Sequence, residues 1–419
     1  MSGAGRGVPL AADEGLVEGD RVSLVVDAPA HGGHCIARLA GQIVFVRHAL
    51  PGERVVAEIT EVHGGYLRAD AVEILDPSPD RVVPPCPFAG PGRCGGCDLQ
   101  HATPDAQRAW KTAVVHEQLT RLGGLTSDEV DALRVRVAAL PGDLLGWRTR
   151  VRYAVDAAGR PGLLKHRSHE VVPIDRCRIA HPAIQALPIL THQWPDADAV
   201  ETVATSTGDV AFAPVDEGQP DWTRHHERAD DVVVRERAGG RTWTIRPETF
   251  WQVHPAAPET LVGAVLDLAD PRPGERAWDL YGGAGLFAAA LAERVGPTGR
   301  VTLVESASDA VAAARDNLAD LTWVEVVSAK VETALARRRV TGPVDVVVLD
   351  PPRTGAGARV VEALTRSGAR AVAYVACDPA AFARDVKTFR AAGWHLTALR
   401  AYDCFPMTHH IECVGLLTP

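Results

Sequence analysis

From residue 17 to 75, apolar and polar positions alternate in short stretches broken by glycine and proline. Arg21-Val22-Ser23-Leu24-Val25-Val26, Gly41-Gln42-Ile43-Val44-Phe45-Val46 and Glu53-Arg54-Val55-Val56-Ala57-Glu58-Ile59 carry the pattern. A period of two puts successive side chains on opposite faces of a strand, so this segment predicts a small antiparallel β-barrel. Pro77-Ser78-Pro79 and Pro84-Pro85 form a linker after it, since proline interrupts both helix and ladder. Residues 105–122 read as a helix. Strand signals return over 133–176, with 157–162 as a hairpin turn between Tyr153-Ala154-Val155 and Leu163-Leu164. From 258 the period changes: helix 261–268, strand 277–280, helix 285–295, strand 301–304, helix 307–319, strand 344–349, helix 357–366 and strand 371–375. Strands alternating with helices predict a parallel, doubly wound α/β sheet. The expected organisation is a disordered N-terminus at 1–16, a barrel at 17–76, a central β-rich domain at 77–246 and an α/β domain at 247–419.

Composition adds bounds. The 419 residues are 46% hydrophobic and 23% charged, the balance of an ordinary globular protein and not of a disordered one. Acidic residues outnumber basic ones 53 to 44, for a net charge of −9, which on its face argues against a polyanionic partner. The charge is unevenly placed. Residues 196–231 hold ten acids and only two bases, so the rest of the chain is nearly neutral. Residues 141–182 hold eight bases (Arg148, Arg150, Arg152, Arg160, Lys165, Arg167, Arg176, Arg178) against four acids. The acidic window reads as an exposed insertion and the basic stretch as the face for phosphates, its alternative being a solvated strand face. No apolar run approaches a membrane span and the N-terminus lacks a secretory pattern, so a cytoplasmic, non-membrane protein is expected.

Cys86, Cys94 and Cys97 have the spacing C-x7-C-x2-C among Gly-rich turns, and Cys177 follows in Ile174-Asp175-Arg176-Cys177-Arg178. Such loops can present several thiolates to one centre, iron–sulfur or zinc; free buried thiols are the alternative. Further on, Asp279-Leu280-Tyr281-Gly282-Gly283-Ala284-Gly285 stands where a strand turns into a helix, and Glu305 ends the next strand. Glycines there let a backbone approach a nucleotide cofactor, and the acid is placed for ribose hydroxyls. Gly283-x-Gly285-x-x-Ala288 also meets the loose dinucleotide pattern, so NAD is a rival to other nucleotide cofactors. Asp350-Pro351-Pro352-Arg353 closes a later strand, and Val375-Ala376-Cys377-Asp378-Pro379 sets a thiol at another strand end. A thiol there is placed for attack, or is a small buried hydrophobe. In Phe405-Pro406-Met407-Thr408-His409-His410-Ile411-Glu412 the two histidines would point to opposite faces if on a strand, so at least one has a solvent or core role. Glu412, inside an apolar strand, is a general-base candidate or a salt-bridged structural acid.

In this order, the Asp-Leu-Tyr-x-Gly-x-Gly turn, Asp350-Pro351-Pro352-Arg353, Val375-Ala376-Cys377-Asp378-Pro379 and Phe405-Pro406-x-Thr408-His409-His410-Ile411-Glu412 resemble the S-adenosylmethionine-dependent RNA uracil-5-methyltransferase family. Phe250-Trp251-Gln252-Val253 and the stretch Arg167 to Cys177 extend the resemblance, which spans 17 to 417. It implies a TRAM-like RNA-binding barrel, a central domain, and a Rossmann-like methyltransferase domain. It implies that Cys377 adds to uracil C6 and that Glu412 removes the C5 proton. Gln252, Tyr281, Glu305 and Asp350 match the family's cofactor contacts, and Asp279, Gly283 and Gly285 of the same turn are expected to bind the cofactor with them. Cys86, Cys94, Cys97 and Cys177 match the [4Fe–4S] ligands of its cluster-bearing members. The chain departs from the family at Gly282, where Cys is usual, at His254, where Asn is common, and at Ser328-Ala329-Lys330, which lacks the acid that often contacts adenine. The expected protein is a monomer acting on ribosomal or transfer RNA without an obligate protein partner. A catalytically inactive RNA-binding module with a metal-stapled loop is the alternative.

Overall fold

The computed structural model describes residues 16–216, 218–220, 222 and 232–419. These divide into two compact units, one ending at Val82 and one beginning at Val83.

In the first unit, strands β1 (Arg21–Ala30), β2 (His34–Leu39), β3 (Gln42–Arg47), β4 (Arg54–Val62) and β5 (Tyr66–Asp76) close into a barrel of order β1-β2-β3-β5-β4. The alternation read from the sequence is the burial pattern: Leu24, Val26, Val44, Val46, Val55, Ala57 and Ile59 point inward. The barrel is mixed, since β3 and β5 run parallel. The buried carboxylate of Glu53 is held by Arg81 at 2.5 and 2.6 Å and by the amides of Leu50 and Ser78.

The second unit begins with the cysteine-bearing loops and continues into helices α1 (Pro104–Arg121) and α2 (Ser127–Ala132) and strand β6 (Val137–Ala139). Strands β7 (Arg150–Val155), β8 (Pro161–Leu164) and β9 (Val171–Pro173), helix α3 (Pro182–Gln185), and strands β10 (Ala199–Ala204), β11 (Val210–Asp216) and β12 (Gln219–Pro220) follow. They make a six-stranded sheet of order β12-β11-β10-β7-β8-β9. The hairpin expected at 157–162 joins β7 to β8. The first part of the acidic window is not an exposed insertion: it supplies β10 and β11, with Val200 and Ala213 in the core, while Glu201 meets Arg152 at 2.7 Å and Asp209, just before β11, meets Arg235 at 3.0 Å. Positions 217, 221 and 223–231 of that window, like the N-terminal 1–15, lie outside the described residues.

A hairpin of β13 (Val234–Ala238) and β14 (Arg241–Ile245) precedes helix α4 (Ala257–Ala269). Then come β15 (Arg276–Leu280), α5 (Leu286–Val295), β16 (Arg300–Glu305), α6 (Ser308–Asn317), β17 (Val324–Ser328), α7 (Val331–Ala336) and β18 (Val346–Leu349). Helix α8 (Ala358–Thr365), β19 (Ala371–Ala376), α9 (Pro379–Ala391), β20 (His395–Asp403) and β21 (Glu412–Thr418) complete the chain. The sheet order is β17-β16-β15-β18-β19-β21-β20-β6. Strands β15 to β19 pair in parallel, and their near-continuous Val, Ala and Leu is what burial on both faces requires. Strand β21 is antiparallel to β19 and β20. The eighth strand, β6, comes from more than 250 residues upstream, so the two parts of this unit share one sheet. No described helix is long and apolar enough to cross a membrane.

Candidate active site

The order β17-β16-β15-β18-β19 reverses direction between β15 and β18, and open α/β sheets bind ligands at the carboxyl ends of strands beside such a reversal. A cavity of about 910 Å³ lies there, near the upper end of small-molecule pocket volumes. Gln252, Tyr281, Gly283, Glu305, Asp350, Cys377 and Glu412 all line it. One fold brings together residues from six separate stretches of sequence.

The turn after β15 shows why those residues were needed. Tyr281, Gly283 and Gly285 all have positive φ, at 62°, 54° and 101°. Gly285 is the N-cap of α5 and offers no side-chain acceptor to its first-turn amides. Glu305 braces the turn by accepting from the Gly283 amide at 3.0 Å, and its other oxygen takes the amides of Ser306 and Ala307. The Ser306 hydroxyl also reaches that second oxygen, at 3.4 Å, while the oxygen that takes the Gly283 amide keeps a further lone pair for a cofactor hydroxyl. Asp279 and Gly285 do not line the cavity; they stand behind the turn and shape it. Asp279 is fully buried and neither oxygen makes a hydrogen bond of normal geometry. Burial pushes it up to about 8, with only the Ala288 amide opposing, so it carries its proton at neutral pH.

Cys377 directly follows β19, and the residues after it start a helix: Asp378 is the N-cap of α9, accepting from the Ala381 amide at 2.7 Å, and Pro379 fills the first turn. That fixes the thiol at the strand–helix junction. Burial, then the charges of Glu412 and Asp350, push the thiol up to about 12 against the pull of Arg353. Glu412 begins β21 and is 2% exposed. Burial and the neighbouring Asp350 raise it well above the usual carboxylate range, and burial pushes Asp350 up to about 7. Two carboxyls in one dry site cannot both ionise cheaply, so they hold a proton between them.

The histidines correct an expectation. Residues 404–411 form a turn, not a strand, so His409 and His410 lie on the same side with ring centroids 4.2 Å apart. His410 lines the cavity, neutral, its pKa pushed down to about 3 by burial and by His409. His409 turns to Asp98, 2.6 Å from its Nδ1.

Cys86, Cys94, Cys97 and Cys177 line one small cavity with Arg148, Arg176 and Arg178. Eighty residues of chain separate Cys97 from Cys177, so a shared cavity is a selected arrangement. Burial first, then mutual repulsion, pushes Cys94 up to about 11 and raises Cys97 as well; burial likewise raises Cys177. Four thiols that oppose each other's ionisation would be stabilised as thiolates by a cation among them. Among the described residues no group stands at metal-coordinating spacing as it is, so the donor set fits a metal centre in kind while the side chains rest apart. The described cysteines form no disulfide.

The family departures also find places. His254 does not line the cavity. It is buried against Trp147, and its Nδ1 accepts from the Ala256 amide at 3.2 Å just before α4. An Asn oxygen makes the same local bond, so His254 replaces Asn in structure. Gly282 is required by its neighbours, since a Cβ there would come within 2.5 Å of Leu303 Cγ. The acid missing from 328–330 reappears as Glu332 in the first turn of α7, lining the cavity 3.5 Å from the Tyr281 hydroxyl. Glu332, Trp147, Arg148, Arg353 and Phe405 are lining residues that sequence reasoning did not single out for the site. The helix start at Val331 was the one available signal for Glu332. The basic stretch 141–182 is less free than its charge suggested: Arg152, Arg160 and Lys165 are ion-paired, and Arg150 is buried against the Pro247 carbonyl.

The model of tRNA (uracil-5-)-methyltransferases matches residues 239–419, and that of the TRAM domain matches 16–72. An RNA methyltransferase of Streptomyces avermitilis is 50% identical over 431 residues, covering 96% of this chain and 99% of its own. The 23S rRNA (uracil(1939)-C(5))-methyltransferase of Thiobacillus denitrificans is 33% identical, covering 92% of this chain and 97% of its own. The chain belongs to the RNA uracil-5-methyltransferase family. Its fold is that of another family enzyme, the Pyrococcus abyssi tRNA (uracil-54, C5)-methyltransferase crystallised with S-adenosyl-L-homocysteine. That likeness has a TM-score of 0.68 at 23% identity and covers 94% of this chain and 99% of that one. In family terms the barrel of β1 to β5 is the TRAM domain, and β15 to β21 with their helices are the methyltransferase domain.

Proposed function

We propose that this enzyme transfers a methyl group from S-adenosylmethionine to C5 of a uridine in structured RNA, ribosomal or transfer, through a covalent Cys377–uracil adduct. The supporting observation is that Cys377 and Glu412 share one cavity with Gly283, Glu305, Gln252 and Asp350. S-adenosylmethionine, when bound, supplies an electrophilic methyl on a sulfonium. Gln252, Tyr281, Gly283, Glu305 and Asp350 hold it in this reading, with Glu332 in place of the missing acid.

Uracil C5 is too weak a carbon nucleophile to take a methyl unaided. Cys377 Sγ adds to C6, and the electron pair of the C5–C6 double bond moves to make an enolate whose C5 takes the methyl. Glu412 then removes the C5 proton, the double bond reforms and the thiolate leaves. Cys377 loses its proton to solvent before it attacks, its thiolate favoured by the charge of Arg353, and the one proton of the carboxyl pair stays on Asp350, which leaves Glu412 ionised to take the C5 proton. Both faces of the base must be reached, so the uridine is flipped from its stack; Trp147, Phe250 and Phe405 are among the residues that line the cavity.

The same proposal places a [4Fe–4S] cluster on Cys86, Cys94, Cys97 and Cys177, supported by their common cavity, with zinc as the other metal of this donor set. A brown protein with visible charge-transfer absorption after anaerobic purification favours iron; a colourless zinc protein rejects it. The protein acts in the cytoplasm as a monomer in this reading. The function itself is tested by mass-spectrometric mapping of 5-methyluridine in total RNA. A deletion strain should lose the methyl at one uridine and regain it with the wild-type gene; an unchanged map rejects the assignment.

A further inference from the structure

The cysteine loop runs directly into the segment that holds the turn leading to Glu412. The Asp98 and Leu99 amides both donate to the Met407 carbonyl at 3.0 Å. Asp98 Oδ2 accepts from the His409 amide at 3.2 Å and lies 2.6 Å from its Nδ1. Gln107 Oε1 takes the Met407 amide at 3.0 Å and its Nε2 reaches Met407 Sδ at 3.3 Å. Lys111, fully buried, pins Asp403 at 2.6 Å and the Phe405 carbonyl at 3.1 Å. On its other side this segment is tied to the cysteines: Gln100 Oε1 accepts from the Cys86 amide at 3.1 Å, and Asp98 adjoins Cys97.

The clamped turn is strained. Met407 has φ of 69°, a conformation that side chains with a Cβ rarely adopt without support. Seven of the contacts above converge within two residues of it. The turn carries His410 into the cavity and ends at Glu412.

We infer that residues 98–111 are a clamp, with Asp98 a positioning residue, through which metal binding at the four cysteines fixes the 404–411 turn and so the placement of Glu412. The inference rests on Glu412 being the base that ends the covalent intermediate. A centre of this kind contributes no electron to methyl transfer; its use is to order the loop from which the clamp begins. Cys97 and Asp98 are consecutive, so freedom at one is passed to the other.

The test uses the full-length, metal-loaded protein. Amide exchange of 404–411 is measured in Asp98→Ala, Asp98→Asn and Cys97→Ser, with strand β19 as folding control. Exchange in the turn should rise at least about tenfold in Asp98→Ala and Cys97→Ser while β19 stays protected. Asp98→Asn, which keeps an acceptor, should stay near wild type. In turnover, Asp98→Ala should lower kcat by about 10- to 100-fold with KM within about twofold, and methylated RNA should accumulate still bound to Cys377. Unchanged exchange of the turn in Cys97→Ser overturns the link to the metal. Loss of turnover without bound methylated RNA in Asp98→Ala overturns its positioning role. If Glu412→Gln itself traps no methylated adduct, the catalytic reading beneath the inference fails instead.

Discussion

Asp279 makes a residue-scale claim that can be measured without RNA. Its folded pKa of about 8 lies above the value near 4 of an unfolded chain. Folding therefore takes up a proton between those values, and the contribution of Asp279 to stability falls as pH rises from about 4 to about 8. Asp279→Asn keeps the shape and removes the titration. Melting of cofactor-free protein should show the variant gaining on wild type from pH 5 to pH 8, and a difference that does not vary with pH contradicts the assignment. The turn in front of it was legible because glycines and an acid at strand ends have few other uses. That Asp279 stands behind the turn, while Glu332 faces the cavity, was not: strand-to-helix spacing gives a residue's neighbourhood but not which way its side chain faces.

At the scale of elements, the Asp350-Pro351-Pro352-Arg353 loop is held from behind by helix α9. Asp385 accepts from the Tyr374 hydroxyl at 2.6 Å and from the Ala356 amide at 2.7 Å, with the Gly357 amide at 3.2 Å. In Asp385→Ala the Tyr374 hydroxyl and the Gly357 amide lose their acceptor, and the Ala356 amide keeps only the Tyr374 hydroxyl oxygen at 3.1 Å. The variant should lose about 2–4 kcal/mol of stability by denaturant unfolding and bind cofactor more weakly; wild-type stability and affinity would show the loop to be fixed otherwise. Apart from α7, α9 and β17, which were passed over, helices and strands of the α/β half were readable from their periods, as α4 to α6, β15, β16, β18 and β19 show. Strands β6 and β20 were not, because β6 has only three residues and is a strand only by pairing with β20 across the sequence. The acidic window misled for a related reason: Glu201 and Asp216 are strand residues of β10 and β11, and a sum of charge over a window discards the apolar positions between its acids.

At the scale of the whole molecule, the second unit joins a cysteine-bearing loop, a six-stranded sheet and an α/β sheet so that separate stretches converge on one cavity. The order of motifs along the chain was enough to foresee which residues meet; the contacts made by Asp98, Gln107 and Lys111 were not foreseeable, since each is an ordinary polar residue until the fold brings 403–409 against it. The central claim is that Cys377 attacks the base and Glu412 releases it. It is tested most directly by incubating the enzyme with S-adenosylmethionine and RNA containing 5-fluorouridine, whose C5 fluorine cannot be removed as a proton. Wild type and Glu412→Gln should both form a protein–RNA adduct stable to denaturing electrophoresis, and Cys377→Ala should form none. An adduct that survives Cys377→Ala, or none from the wild type with the RNA it methylates, would contradict the account.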